Sequence, residues 1–320
     1  MSPDRDGVAH HRQGIRVAEQ QFYAGIELGG TKVLCRVVDA EGAVLGAGRF
    51  ATTTPAQAVA DTVGCIRSGL RGRPLSALGV ASFGPIIIDP NSPRYGRLLA
   101  TSKAGWSDFD LRAALRKHFS VPLAIETDVN AAAVAEQACG AGRGLRSVAY
   151  VTVGTGIGGA VAIDGVALKG ALHPEIGHMR LRRRSGDQLA STCPFHEDCA
   201  EGLVAGPAVS RRLGERGSLA QAPEVMALLG EYLGDLAANL VLAWSPNRIV
   251  LGGGVMQAPG LLDKIGEGLR AALGGYGAGI VVDSDYLAPA RLSDSGLEGA
   301  LLIARAADTQ DSGRGAQVIQ

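Results

Sequence analysis

The sequence predicts a duplicated two-lobe α/β protein. The first observation is an internal repeat: a strand, glycine turn, strand, glycine turn, strand pattern occurs twice, about 125 residues apart. The second is that both copies place a glycine-rich turn at the same point, Gly29-Gly30 in one and Gly154-Thr155-Gly156 in the other. The third is the alternation of short apolar strands with helical periodicity elsewhere in the chain.

In chain order, residues 1–21 are charged and polar, lack the apolar run of a signal peptide, and read as a flexible tail. Residues 23–45 carry the first repeat, with Asp39-Ala40-Glu41-Gly42 as the second turn. Residues 78–82 and 123–126 read as short buried strands. Residues 129–139 read as a helix with Asp128 near its start. The second repeat covers 148–168, with Asp164-Gly165 as its later turn. Residues 223–244 have helical apolar spacing and stop at Ser245-Pro246. Residues 247–255 read as a strand running into Gly252-Gly253-Gly254, and 260–273 as a further helix. A last short helix, 297–306, is opened by Ser293-Asp294-Ser295-Gly296, and 308–320 reads as a second tail. The expected lobes are 22–128 with 291–307, the smaller one closed by the C-terminal helix, and 129–290, the larger one with a metal-binding loop at 173–201.

Composition narrows the function classes. The 320 residues leave ample capacity for a buried core. Lys+Arg and Asp+Glu balance at 31 each, without the basic excess of a nucleic-acid binder. The 46 glycines follow no fibrous period and fit tight turns and backbone-lined ligand loops. No uninterrupted apolar run approaches the ~18 residues of a membrane span. Five cysteines and no signal peptide fit a reducing cytoplasm, where clustered cysteines are more often metal ligands than disulfides. Cys35, Cys65 and Cys139 lie in apolar surroundings and read as small buried side chains.

Three constellations carry chemistry. His178, Cys193, His196 and Cys199 make a complete Cys2His2 set, and a filled shell of that kind is a structural zinc site rather than a catalytic one. His173 is a fifth candidate; His10, His11 and His118 look incidental, the last on a charged helix. Gly29-Gly30-Thr31-Lys32 offers backbone amides, a hydroxyl and a cation to an anion, and Gly154-Thr155-Gly156 occupies the matching turn. Either turn alone reads equally as an ordinary hairpin; two at equivalent points predict phosphate contacts on a shared cleft. Gly253-Gly254 leaves room for a base or ribose. Asp128, after a buried strand, is either an N-cap or a base that takes a proton from a hydroxyl. Glu136, about two turns further along the helix, reads as structural. The run Arg182-Arg183-Arg184 reads as a solvated face.

Together these residues resemble the ROK family of sugar kinases (repressor, open reading frame, kinase). The resemblance rests on Gly-Ile-Glu-Leu-Gly-Gly-Thr-Lys at 25–32, Asp128-Val-Asn-Ala-Ala-Ala, Val153-Gly-Thr-Gly-Ile-Gly-Gly, Glu175-Ile-Gly-His178 and the cysteine loop. Cys193-Pro-Phe-His in place of Cys-x-Cys-Gly, Glu27 in place of Asp, His173-Pro-Glu, Phe83-Gly84-Pro and Tyr95-Gly with Thr101-Ser102-Lys103-Ala-Gly-Trp106 are similar to its fructokinase branch. Thr101-Ser102-Lys103 departs from the usual Thr-Pro-Lys of that branch, and the arginine run is added.

The resemblance implies an actin-like ATPase fold and ATP:D-fructose 6-phosphotransferase activity with Mg2+ and structural Zn2+. It implies Asp128 as base, with Asn130, Glu175, His178, Glu201 and Gly84 toward the sugar. Gly29, Gly30, Thr31, Lys32, Gly154, Thr155, Gly156, Gly253 and Gly254 would contact the nucleotide. It favours a homodimer. The alternatives are a kinase for another hexose or an amino sugar, or a sugar-sensing regulator. A regulator of this family carries an N-terminal winged helix-turn-helix, and about 21 residues before the first strand are too few for one.

Overall fold

The computed structural model describes residues 20–101, 103–276 and 285–311. The tail expectations at 1–19 and 312–320, with His10 and His11, fall outside those residues, as does Ser102.

The repeat is realised as two five-stranded sheets of one topology. The first contains β1 (Phe22–Leu28), β2 (Lys32–Asp39), β3 (Val44–Ala51), β4 (Ala77–Ser82) and β5 (Leu123–Thr127), in the order β3-β2-β1-β4-β5. The second contains β6 (Ser147–Val153), β7 (Ile157–Ile163), β8 (Val166–Ala167), β9 (Arg248–Gly252) and β10 (Leu287–Pro289), in the order β10-β9-β6-β7-β8. In each, the three repeat strands form an antiparallel meander, and the other two continue the sheet in parallel from its first strand. Strands that join a sheet in parallel are reached through crossovers: α1 (Pro55–Leu70) leads from the first meander into β4, beside β1, and α6 (Pro223–Trp244) leads into β9, beside β6. Thr54 caps α1, its hydroxyl accepting from the Gln57 amide at 3.4 Å.

The remaining helices are α2 (Leu111–Arg116), α3 (Asp128–Cys139), α4 (Ala200–Val204), α5 (Gly206–Leu213), α7 (Leu261–Leu273) and α8 (Ser295–Asp311). His118 lies just past the end of α2, exposed. By length and composition α6 could cross a bilayer, but Leu229, Tyr232, Leu233 and Leu236 bury it in the second core against α7. Helix α8 packs over β1 and β4: a Cβ on Gly79 would stand 1.9 Å from the Ala300 carbonyl, so only glycine permits this crossing.

Glu136 ties the two halves together. It is fully buried and its carboxylate accepts from the amides of Ala141 (2.7 Å) and Leu292 (3.0 Å) and from the Ser295 hydroxyl (2.7 Å). The structural reading of this residue therefore holds. Helix α3 thereby anchors the chain leading into α8, and it packs on both sheets.

Four expectations are corrected. The last helix runs to Asp311 because Asp308 accepts from Gln21 Nε2 at 2.9 Å and from the Tyr23 hydroxyl at 3.0 Å; residues 308–311 are helix, and Gln21 is held rather than part of a free tail. Cys139 is exposed and Cys65 only half-buried, since one faces out at the end of α3 and the other sits at the rim of α1. His118 is not helical. The arginine run is solvated only at Arg182. Arg183 donates to the carbonyls of Leu189 (2.7 Å) and Glu197 (2.6 Å), bracing the cysteine loop, and Arg184 pairs with Glu231 and Asp235 on α6.

That loop is also held by a buried ion pair. Arg212 of α5 grips both oxygens of Asp187, at 2.8 and 2.9 Å, and Tyr232 adds a hydrogen bond at 2.7 Å. The Arg212 hydrogen bonds hold the Asp187 carboxyl well below the usual range. Removing one partner of such a pair leaves a buried unpaired charge. Arg212→Met is expected to destabilise the protein by about 3–5 kcal/mol in urea unfolding, and a loss under about 1 kcal/mol would show the pair to be idle.

Candidate active site

The site forms where the two glycine turns, the start of α3 and the cysteine loop converge. In the first turn the Gly29 amide donates to the Lys32 carbonyl at 2.9 Å, and in the second the Gly154 amide donates to the Gly156 carbonyl at 2.9 Å. Both turns leave inner amides, Gly30 and Thr31 in one and Thr155 and Gly156 in the other, without a protein acceptor among the described residues. Such amides are ready donors to an anion. Gly253 closes the same edge of the second sheet: its φ is +94°, and a Cβ there would stand 2.4 Å from the Val153 carbonyl. Gly254 meets nothing within 4 Å.

Asp128 occupies the first position of α3, and the N-cap is its neighbour: the Thr127 hydroxyl accepts from the Asn130 amide at 3.1 Å. The capping explanation of Asp128 is thereby removed. Its carboxylate accepts from the Val129 amide at 2.9 Å and is otherwise left for the cleft. Burial, followed by repulsion from Glu27 at the end of β1, pushes it up to about 7, with a further contribution from Glu175. Glu27 is itself raised, by burial first, and its Oε2 is buried without a partner. Val129 lies within 3.0 Å of a Cβ built on Gly158, so this acid stands at the junction of β1, α3 and the second hairpin.

Glu201, in the first turn of α4, accepts from the Ile157 amide at 3.0 Å and so fixes the second glycine hairpin while leaving its other oxygen available. Glu175 is raised above the usual carboxylate range by its low-dielectric surroundings and by Glu201. Gly84 faces His173, whose ring Cε1 would lie 3.1 Å from an added Cβ.

One proposed sugar contact is not brought to the cleft. Asn130 is fully buried, and its amide donates to Glu126 Oε2 at 2.9 Å. It supports Glu126, which pairs with Lys169 from the loop after β8, while its own Oδ1 is buried without a protein partner. Lys32 turns toward Asp294 at 3.7 Å, on the face of the sheet that α8 covers.

Two contributors were not assigned by sequence reasoning. The Lys103 side chain reaches the first turn, its Cε 3.7 Å from a Cβ built on Gly30. The α5 N-terminus abuts the second turn, the Gly206 amide donating to the Gly154 carbonyl at 2.7 Å. Pro207 just inside that helix was the sequence signal available for it.

The ligand atoms of His178, Cys193, His196 and Cys199 all lie within 4.8 Å of one another, which fits a tetrahedral zinc site. His178 Nδ1 faces Cys193 Sγ at 3.7 Å, so Nε2 is the ring nitrogen not turned to that sulfur. Cys199 also caps α4, its sulfur accepting from the Gly202 amide at 3.4 Å.

Two five-stranded sheets of matched topology enclosing a cleft with paired glycine hairpins define an actin-like ATPase fold. The ROK family profile matches residues 23–307, and the chain belongs to the ROK family. It is 39% identical over 284 residues to a fructokinase of Pediococcus pentosaceus, covering 88% of this chain and 97% of that one. A fructokinase of Zymomonas mobilis is 34% identical over 301 residues, covering 91% and 99%. The ROK hexokinase of Thermus thermophilus superposes with a TM-score of 0.73 at 30% identity, over 92% of this chain and 100% of that one. The ROK glucokinase of Streptomyces griseus, solved with glucose and AMPPNP, gives 0.69 at 25% identity, over 89% and 99%.

Proposed function

We propose that this hexose kinase transfers the γ-phosphoryl group of ATP to the 6-hydroxyl of D-fructose. The observation that carries the reading is Asp128: a carboxylate relieved of capping, held near neutral pH, at the meeting point of two hairpins with open amides. A base with its pKa near the working pH is both ionised and able to hold a proton.

In this mechanism the triphosphate lies between the amides of Gly30 and Thr31 and those of Thr155 and Gly156, with Lys103 beside the first turn and the α5 terminus beside the second. Gly253 and Gly254 border the adenosine. Mg2+ arrives with ATP. Glu175, Glu201 and Nε2 of His178 hold sugar hydroxyls. Asp128 takes the proton of the attacking hydroxyl as its oxygen bonds to the γ-phosphorus; the bond to the β-phosphate oxygen breaks and ADP leaves. Positioning and charge neutralisation supply most of the acceleration. Bound zinc would supply rigidity to the loop that carries His178 and Glu201.

The lobes proposed are 22–128 with 291–307 and 129–290, moving about α3 to exclude water. A cytoplasmic homodimer is the assembly the family relationship favours.

A panel of fructose, glucose, mannose and N-acetylated hexosamines, assayed with ATP-Mg2+ for ADP release, tests the assignment. Fructose is expected to give the highest kcat/KM. A higher value for an amino sugar would transfer the mechanism to that acceptor, and no turnover on any sugar would overturn it.

A further inference from the structure

We infer that His173 is a positioning residue that spans the cleft and fixes Glu175 through its Nδ1 proton. This rests on the sugar-kinase reading above.

The ring is almost wholly buried, at 6% exposure. Its Nε2 lies 3.4 Å from the Ile86 backbone amide, which can only donate. Nε2 must therefore be the unprotonated nitrogen, and a neutral ring carries its proton on Nδ1. That nitrogen lies 3.3 Å from Glu175 Oε1, close enough for its proton to face the carboxylate, and the Pro174 carbonyl is its other neighbour. Burial lowers the imidazole pKa, which keeps the ring in this neutral form. This tautomer is the one that turns an acceptor to Ile86 and a donor toward Glu175.

The two partners belong to opposite halves of the molecule. Ile86 follows β4 of the first sheet and bridges Leu98. Glu175 lies on the loop after β8 of the second sheet. Only the missing side chain at Gly84 lets the ring approach so closely. Glu175 makes no other side-chain hydrogen bond or ion pair among the described residues, and its side chain is 41% exposed. A satisfied core histidine would need none of this: it would affect stability without distinguishing the two substrates.

The two ring nitrogens can be tested separately. Asn carries its amide about where Nδ1 stands and can still donate to Glu175; Gln places its amide oxygen near Nε2 and keeps the Ile86 contact. His173→Gln is expected to raise the sugar KM about tenfold, the equivalent of one hydrogen bond to a charged group, with the ATP KM unchanged. His173→Asn is expected to recover most of that loss. If the Gln variant fails to fold, the ring nitrogen resonances of His173 in the wild-type enzyme decide: a protonated Nδ1 and a bare Nε2 are expected, and the opposite tautomer overturns the inference. An unaltered sugar KM in the Gln variant, or sugar and ATP KM rising together with a lower melting temperature, overturns the inference while wild-type kinase activity leaves the sugar-kinase reading standing. A wild-type enzyme inactive on every hexose overturns that reading, and the inference with it.

Discussion

Asp128→Asn is expected to abolish most turnover while making the unliganded protein more stable at alkaline pH. The loss in kcat should reach about 10²–10⁴-fold, the range for removing a general base. The stability change follows from the environment that makes Asp128 a base. Its pKa is raised from an ordinary 3.8 to about 7, so the folded protein favours the neutral carboxyl. Below about pH 3 folded and unfolded chains are both protonated and the carboxyl costs nothing. Between there and pH 7 the unfolded chain ionises and the folded one does not, so stability falls; above pH 7 the deficit is complete. Asn keeps the shape and never ionises. The melting temperature of the variant should therefore exceed that of wild type at pH 8 and approach it near pH 3. Wild-type kcat/KM should in turn rise as pH climbs through about 7. An Asn variant that is equally inactive but less stable at pH 8 would show that Asp128 holds the fold rather than strains it. A variant with near-normal turnover would remove it from the chemistry.

The parts of the site that rest on local rules were legible in the sequence. Hairpin punctuation at Gly29-Gly30, Gly42, Gly154 and Gly165 exposed the duplication, and both sheets repeat it strand for strand. Asp128 was ambiguous because a capping residue and a catalytic acid occupy the same place at a helix start. The structure gives the capping role to Thr127, whose hydroxyl accepts from the Asn130 amide. What was illegible depends on contacts between residues far apart in the chain. The extension of α8 to Asp311 follows from Gln21 and Tyr23, over 285 residues away. Arg183 and Arg184 looked like surface charge because their partners, loop carbonyls and α6 carboxylates, come together only in the fold. Asn130 sits in a motif that points to the sugar, yet helix geometry turns it inward to Glu126.

Loss of zinc is the second change expected to have a large effect, because the proposed metal cluster adjoins α4, whose Glu201 holds the second glycine hairpin. Elemental analysis should find one zinc per chain. Cys199→Ala removes a ligand and the α4 cap at once. Without that cap, the helix carrying Glu201 loses its start, and Glu201 in turn holds the Ile157 amide at the second glycine turn. The consequence should pass from the metal to the sugar, through Glu201 and His178, and to ATP, through the hairpin. A melting temperature lowered by roughly 5 °C corresponds to about 3 kcal/mol in a protein of this size. His196→Ala separates the roles, since His196 is a ligand but caps nothing: it should lose zinc and stability, with a smaller rise in the ATP KM than Cys199→Ala. If the purified protein holds no metal and both variants melt as wild type does, the four side chains are a packed cluster and the loop is held by Arg183 and the Asp187–Arg212 pair alone. If both variants lose metal but leave the two KM values untouched, the knot braces the fold without reaching the cleft, and Glu201 keeps its place through the Ile157 amide unaided.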